Sequence, residues 1–137
     1  IRAHHLPYAA QACISYPEDY YNKVKKAKSI RGPKYIEILA PCPPGWRFPM
    51  EKTVDMGILA IETGAWALYE FENEKMIFNG KSKLLLEKKI EPKPVEEWIK
   101  YQGRFRHLFK PTRDEKTLKA IQDNTDIIWD RYRKCYL

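Results

Sequence analysis

Two short apolar runs, residues 6–12 and 35–40, constrain the fold most, because a segment of helical pattern joins them. Within that segment Ser15 and Glu18 have the spacing of a capping box, and Gly32-Pro33 ends the pattern. Its apolar side chains recur every three or four residues, at Tyr20, Val24, Ala27 and Ile30. A crossover of about a dozen residues or more suits parallel strands, so we predict an α/β fold with a right-handed βαβ unit.

The pattern after the second run predicts further strands and helices. We expect a proline-rich fixed loop at 41–46, a helix at 51–63 that ends at Gly64, a strand at 66–72, a hairpin strand at 75–78, an extended piece at 83–87, a stiff connector at 91–94 and a short helix at 95–101. A long last helix from Thr112, with a capping box to Glu115, carries the stripe Leu118, Ile121, Thr125, Ile128 and Tyr132, and Cys135 continues it.

These elements predict one structural domain in two segments. Residues 1–72 form an α/β core segment, and residues 73–137 form a hairpin, a connector and a helical carboxyl-terminal extension. The expected sheet is mainly parallel with flanking helices, and the strand at 35–40 is central in it.

Composition and charge exclude several classes of protein. The 18 aromatic residues exclude a disordered chain, and the lack of an apolar stretch of about 18 residues excludes a membrane span. The net charge of +7 favours an anionic partner, but acids interleave the basic residues, which predicts solvated faces and no nucleic-acid interface.

Abundant Lys and Glu with six Gly suit a heat-loving source. Three widely spaced cysteines predict a reducing, cytoplasmic compartment.

Cys42 is the strongest candidate for a functional residue. It follows a predicted strand at the carboxyl end, where α/β sheets place ligands, and Pro41, Pro43 and Pro44 fix the backbone around it. A metal ligand or reactive thiol and an inert buried cysteine both stay open on this pattern. Cys13 and Cys135 are expected to be packing residues.

Other patterns point to no catalytic apparatus. The adjacent residues His4 and His5 point to opposite faces of an extended segment, and His107 between basic neighbours is expected in a surface turn. Phosphate-binding glycine loops, a nucleophile elbow and paired carboxylates are all missing from the sequence. The residues alone therefore predict no catalytic site.

Several blocks of the sequence resemble the beta subunit of pyruvate synthase and related 2-oxoacid ferredoxin oxidoreductases. The most specific block is Pro-Cys-Pro-Pro-Gly-Trp-Arg at residues 41–47. The other blocks lie at residues 7–10, 15–20, 32–36, 60–64, 93–98 and 102–105, and the terminal helix with Trp129 also matches. The resemblance covers nearly the whole chain, but only the carboxyl-terminal part of such a subunit, and the first residue, Ile1, favours a truncated, processed or incompletely covered product.

The resemblance implies the later strands and helices of a thiamine-diphosphate-binding fold. It makes Cys42 the fourth ligand of the 4Fe-4S cluster nearest thiamine, with Pro41, Gly45, Trp46 and Arg47 lining the loop, and Trp46 or Arg47 tuning the cluster potential. The Gly-Asp-Gly motif for thiamine diphosphate and Mg²⁺ and three further cluster cysteines are expected upstream, so the isolated chain is expected to hold no cofactor and to be inactive.

In the intact enzyme the implied reaction is oxidative decarboxylation of a 2-oxoacid, with pyruvate as the first candidate and branched-chain 2-oxoacids left open. Coenzyme A accepts the acyl group and ferredoxin accepts electrons. The implied partners are the remainder of the beta subunit and the alpha, gamma and delta subunits. The rival interpretation is a non-catalytic α/β binding or scaffold module with a basic surface. An upstream reading frame with Cys-x-x-Cys and Gly-Asp-Gly separates the two.

Overall fold

The computed structural model describes residues 4–73 and 75–136. Over these residues the strands are β1 (Tyr8–Cys13), β2 (Lys34–Leu39), β3 (Tyr69–Glu72) and β4 (Lys75–Phe78). The α-helices are α1 (Pro17–Ser29), α2 (Pro43–Trp46), α3 (Thr53–Glu62), α4 (Gly80–Leu86), α5 (Glu96–Ile99) and α6 (Glu115–Tyr136). Short 3₁₀ helices cover Met50–Lys52 and Gly103–Leu108.

The strands form one sheet in the order β2-β1-β3-β4. Strands β1 and β2 pair in parallel, with Tyr8 opposite Lys34 and Cys13 opposite Leu39, so the α/β class and the strand–helix–strand unit are confirmed. The hairpin of β3 and β4 is confirmed as well. Strand β3 runs antiparallel to β1, however, so the prediction of a mainly parallel sheet is wrong for the described strands, which form a mixed sheet.

The direction of β3 follows from where α3 delivers the chain. Ile61 and Leu68 pack against Cys13 at the carboxyl end of β1, and the Trp66 indole Nε1 donates a hydrogen bond to the Ala12 carbonyl at 3.1 Å. The chain is therefore already at the carboxyl end of β1 when β3 begins. Because Tyr69 pairs with Gln11 there, β3 runs back along β1 in the opposite direction.

Helix α1 buries a lysine against the sheet. The Lys23 side chain is only 1% exposed, and its Nζ donates to the Gln11 carbonyl at 2.7 Å and to Asp19 at 2.6 Å. Burial lowers the pKa of the Lys23 ammonium and raises the pKa of the Asp19 carboxyl, because their mutual attraction only partly offsets desolvation. The prediction that the basic residues of this segment lie on solvated faces is thus wrong for Lys23.

The helix starts differ from the two capping boxes that the sequence predicts. Helix α1 follows Tyr16 and has no side-chain cap, so the box of Ser15 and Glu18 is not formed. At the start of α6, Asp114 accepts hydrogen bonds from the Thr117 amide and hydroxyl at 3.0 and 2.7 Å, and takes the capping role predicted for Thr112. Asp114 is a better cap than Thr112 because its negative charge is also stabilised by the helix dipole.

The second half packs two helices against the hairpin. The segment expected to be extended at 83–87 lies mostly in α4, because the Ser82 hydroxyl accepts from the Leu68 amide at 2.8 Å and Leu85 and Leu86 are buried. These leucines join a cluster with Ala67, Phe78 and Trp129.

The buried face of α6 differs from the predicted stripe at two positions. Leu118, Thr125 and Trp129 are buried, whereas Ile128 is 37% exposed. Cys135 is exposed, so its prediction as a packing residue is also wrong. At about 100° per residue, positions 118, 125, 129 and 132 fall within about 60° of one another, whereas 128 and 135 lie about 70° and 90° from the centre of that face. Over the described residues no helix is both long and apolar enough to cross a bilayer.

We predict that Lys23→Ala lowers the free energy of unfolding by about 3 kcal/mol, because it leaves a half-buried Asp19 and the Gln11 carbonyl without their cation. The matched control is Lys25→Ala on the exposed side of α1, which is expected to change stability by less than about 0.5 kcal/mol. Urea denaturation followed by circular dichroism measures both. Equal stabilities of the two variants would contradict the buried position of Lys23.

Candidate functional site

Cys42 lies on a short turn at the carboxyl end of β2, which we call the Cys42 turn and define as residues 41–48. Pro43 and Pro44 begin helix α2, a position that tolerates proline because the first helical N–H groups have no partner within the helix. The Trp46 amide donates to the Cys42 carbonyl at 2.8 Å, and the Arg47 amide donates to the Pro43 carbonyl at 2.8 Å. The backbone around the cysteine is therefore fixed by hydrogen bonds as well as by proline rings.

The Cys42 thiol is exposed on this fixed backbone. A Cβ atom placed at Gly45 would lie 3.1 Å from the Cys42 sulfur, which is tighter than ordinary contact, so glycine keeps that side of the sulfur clear. Within the turn, Pro41 is buried and Trp46 is half-buried. The geometry leaves the sulfur accessible to a ligand that approaches from outside the chain.

A segment far along the chain holds the other end of the turn. Arg47 adopts the left-handed conformation with φ 60° and ψ 59°, and its carbonyl accepts a hydrogen bond from the Gly103 amide at 3.0 Å. A Cβ atom at Gly103 would lie 2.7 Å from the Arg47 Cβ and 2.9 Å from the Arg47 carbonyl oxygen. Only glycine at position 103 allows this approach of the two backbones.

Aromatic and cationic groups surround the Trp46 ring. The Trp98 ring meets it edge to face at 5.7 Å between centroids, and the Phe48 ring lies 6.1 Å away. The guanidinium carbon of Arg104 stands 4.3 Å from the Trp46 ring centroid, within the range of a cation–π contact. Trp98 is itself held, because its Nε1 donates to the Met56 carbonyl of α3 at 3.1 Å. The groups around Trp46 thus come from its own turn and from residues 98–104, and α3 holds Trp98 in place.

The three cysteines have different surroundings. Cys13 is fully buried against Ile61 and Leu68, as the packing prediction requires, and burial raises the pKa of its thiol. Cys42 is exposed on its turn, and Cys135 is exposed on the last turns of α6. Cys42 is thus the exposed cysteine that lies on a hydrogen-bonded turn.

Metal binding by this part of the chain is limited by the number of ligands. Over residues 4–73 and 75–136 no group of three or more His, Cys, Asp or Glu side chains is arranged to hold a metal ion. His4, His5 and His107 are exposed and lie outside any such group. Among the described cysteines, Cys42 and Cys135 are exposed, and Cys42 is the one that lies on the hydrogen-bonded turn.

One face of the sheet beside this site is open. Strand β2 is an edge strand of the described sheet, which corrects the prediction that it is central. Tyr35 is 39% exposed on the open face, and Ile38, equally exposed, points to the opposite face. A cavity of about 450 Å³ runs along the face, lined by Ala9, Gln11, Tyr35, Tyr69, Phe71 and Tyr132 among others. An apolar sheet face of this kind suits coverage by further chain.

Sequence reasoning missed the residues that hold the turn. Trp98 and Gly103 belong to blocks noted only for their resemblance, and the basic run that contains Arg104 reads as a surface turn. The local signal was Gly103 itself, because a residue without a Cβ allows a close backbone approach. No local pattern identifies its partner, because Arg47 lies 56 residues away.

Comparisons with known proteins place the chain beside subunits of two oxidoreductases. It is 42% identical over 132 residues to the ketoisovalerate oxidoreductase subunit VorB of Pyrococcus furiosus, covering 96% of this chain and 39% of that subunit. It is 53% identical over 106 residues to the pyruvate synthase subunit PorB of Methanocaldococcus jannaschii, covering 77% of this chain and 33% of that subunit.

The PorB subunit of Pyrococcus horikoshii is 49% identical over 139 aligned positions, which cover 93% of this chain and 41% of that subunit. The chain thus spans about two fifths of the length of the curated relatives that it matches. No protein-family model matches the sequence.

We predict that iodoacetamide labels Cys42 and Cys135 of the native chain and leaves Cys13 unmodified over the same period. The reason is that Cys13 has no exposed surface and a raised pKa, whereas the other two thiols are exposed. Peptide mass spectrometry after timed quenching measures the three rates, with denatured chain as the control in which all three react. Rapid labelling of Cys13 in the native chain would contradict its burial.

Proposed function

Because this chain belongs to the same sequence family as the PorB and VorB subunits, we propose that it forms the carboxyl-terminal part of the beta subunit of a 2-oxoacid ferredoxin oxidoreductase. One observation carries the proposal. The chain is 42–53% identical, over 77–96% of its length, to subunits of two enzymes, a ketoisovalerate oxidoreductase and a pyruvate synthase. Pyruvate is the first substrate candidate, and a branched-chain 2-oxoacid is the second.

The proposed reaction is the thiamine-dependent oxidative decarboxylation of the 2-oxoacid to an acyl-coenzyme A, with electrons passed to ferredoxin. The proposed partners are the rest of the beta subunit and the alpha, gamma and delta subunits. The open sheet face with exposed Tyr35 supports a partner that covers it, and the remainder of the subunit is the one we propose. Three free cysteines support a cytoplasmic location.

Within this enzyme we propose that Cys42 is a ligand of a 4Fe-4S cluster. The exposed thiol on a fixed turn fits one ligand position, and Gly45 leaves space beside the sulfur. When bound, such a cluster supplies one-electron transfer. The chain's own residues hold the sulfur in place through Pro41 and the short helix α2, and Trp46 and Phe48 exclude water from the inner side of the turn.

We propose that thiamine diphosphate and Mg²⁺ bind in the rest of the subunit. The support comes from the sequence, because the Gly-Asp-Gly motif that the resemblance implies for them does not occur in these 137 residues. The contribution of this chain is confined to the Cys42 turn and to the surface that the partners cover.

In the assembled enzyme, Cys42→Ser is expected to make one 4Fe-4S cluster labile or to shift its potential, because a serine oxygen is a harder donor than a thiolate. Iron content and electron paramagnetic resonance measure the loss, with the other clusters expected to stay intact. The matched control is Cys135→Ser, another exposed cysteine on the same chain. An unchanged spectrum for Cys42→Ser, or a lost cluster for Cys135→Ser, would overturn the assignment.

The isolated chain is expected to stay colourless after anaerobic incubation with iron and sulfide. One thiolate cannot hold a cubane cluster, Cys13 is fully buried in the core, and Cys135 lies on α6. Iron and acid-labile sulfide are measured after desalting, and the assembled enzyme treated in parallel is the positive control. Stoichiometric iron and sulfide on the chain alone would show that our ligand count is wrong.

A further inference from the structure

The Cys42 turn is braced by residues 98–104, a segment that we call the brace. Its contacts with the turn form between residues more than 50 positions apart in sequence, so they are tertiary contacts rather than features of a local loop. Besides the edge-to-face contact of Trp98 with Trp46, the brace makes two contacts with the turn. Gly103 contacts the backbone of Arg47, and Arg104 contacts the ring of Trp46.

The first contact secures a strained residue. Arg47 holds a left-handed backbone, a region that residues with a side chain seldom occupy unless the surroundings determine it. The Gly103 amide helps to hold Arg47 in this conformation by donating a 3.0 Å hydrogen bond to the Arg47 carbonyl. Since a Cβ at position 103 would lie only 2.7 Å from the Arg47 Cβ, any other residue there forces the turn to shift.

The second contact, that of Arg104, depends on the buried side chain of Gln102. Gln102 is 1% exposed, and its Nε2 donates to the Trp98 carbonyl at 3.0 Å. Its Oε1 accepts from the Arg104 Nε at 2.8 Å, which holds one edge of the guanidinium group. The guanidinium lies over the Trp46 ring as a consequence. A lysine has no comparable planar group to hold in this way.

We propose that Gly103 and Arg104 are positioning residues for Cys42, which they hold through Arg47 and Trp46. Trp46 is the link, because its amide donates to the Cys42 carbonyl while its ring carries the Arg104 contact. The brace keeps an exposed thiol on a backbone that does not rearrange. The binding of a cluster by this thiol rests on the proposed function. The contacts of the brace with the turn do not depend on that function.

Amide hydrogen exchange on the full 137-residue chain tests the brace without any cofactor. The reporters are the Trp46 and Arg47 amides, which are protected by hydrogen bonds within the turn. For Arg104→Gln we expect exchange of both amides to become about two- to fivefold faster, the range that an exposed cation–π contact supports. Arg104→Lys is expected to restore little of the protection, because the planar stack is lost.

The matched control is Arg106→Gln, an exposed arginine two residues further along the same 3₁₀ helix, which is expected to leave both amides unchanged. Gly103→Ala is expected to accelerate exchange more than Arg104→Gln does, since it displaces Arg47. If Gly103→Ala unfolds the chain, the arginine variants still decide the matter. Wild-type exchange in Arg104→Gln, or full rescue by Arg104→Lys, would overturn the proposal.

A second measurement in the assembled enzyme separates this inference from the proposed function. Arg104→Gln is expected to change the line shape or reduction potential of one cluster in electron paramagnetic resonance, whereas Arg106→Gln is not. If Cys42→Ser alters that cluster and Arg104→Gln does not, the positioning role fails and the proposed function stands. If Cys42→Ser alters no cluster, the proposed function fails, and the exchange data still judge the brace.

Discussion

The parallel pairing of β1 with β2 fixes where the chain must turn. Cys13 and Leu39 stand opposite each other at the ends of the two strands, and the Ile14 amide extends the pairing by donating to the Leu39 carbonyl at 3.1 Å. Both strands therefore end at one edge of the sheet. Cys42 follows three residues later at that edge, and Ile61 of α3 returns to pack against Cys13. The Cys42 turn owes its place to this register, since a shift of one residue would exchange the two faces of the strand.

A single exposed thiolate has different requirements from a complete metal site. A complete site gains rigidity from several ligands that hold one ion, whereas a lone ligand must be held by the protein before its partners arrive. The Cys42 turn meets this need with prolines, a short helix and the contacts of Gly103 and Arg104. The chain can thus contribute one well-placed sulfur to a centre that other segments complete, which is the role that we propose.

Much of the fold could be predicted from sequence because the governing interactions are local. The strand–helix–strand unit, the hairpin, the Cys42 turn and the end of α3 before Gly64 follow from apolar periodicity, proline and glycine. The direction of β3 could not be predicted, because it depends on the Trp66 contact with β1. Burial of Lys23 could not be predicted for the same reason, since its acceptors include the Gln11 carbonyl of β1. Within the site, the Cys42 turn was predictable and its brace was not.

A structure of the assembled enzyme that contains this chain would show whether Cys42 binds a cluster. The quantity to measure is the distance from the Cys42 sulfur to the nearest iron, with the Cys13 and Cys135 sulfurs measured in the same map. Our account predicts that only the Cys42 sulfur of this chain lies within bonding distance of an iron, on a turn still hydrogen-bonded to Gly103. A Cys42 sulfur remote from every cluster, or an iron bound by Cys13 or Cys135, would contradict it.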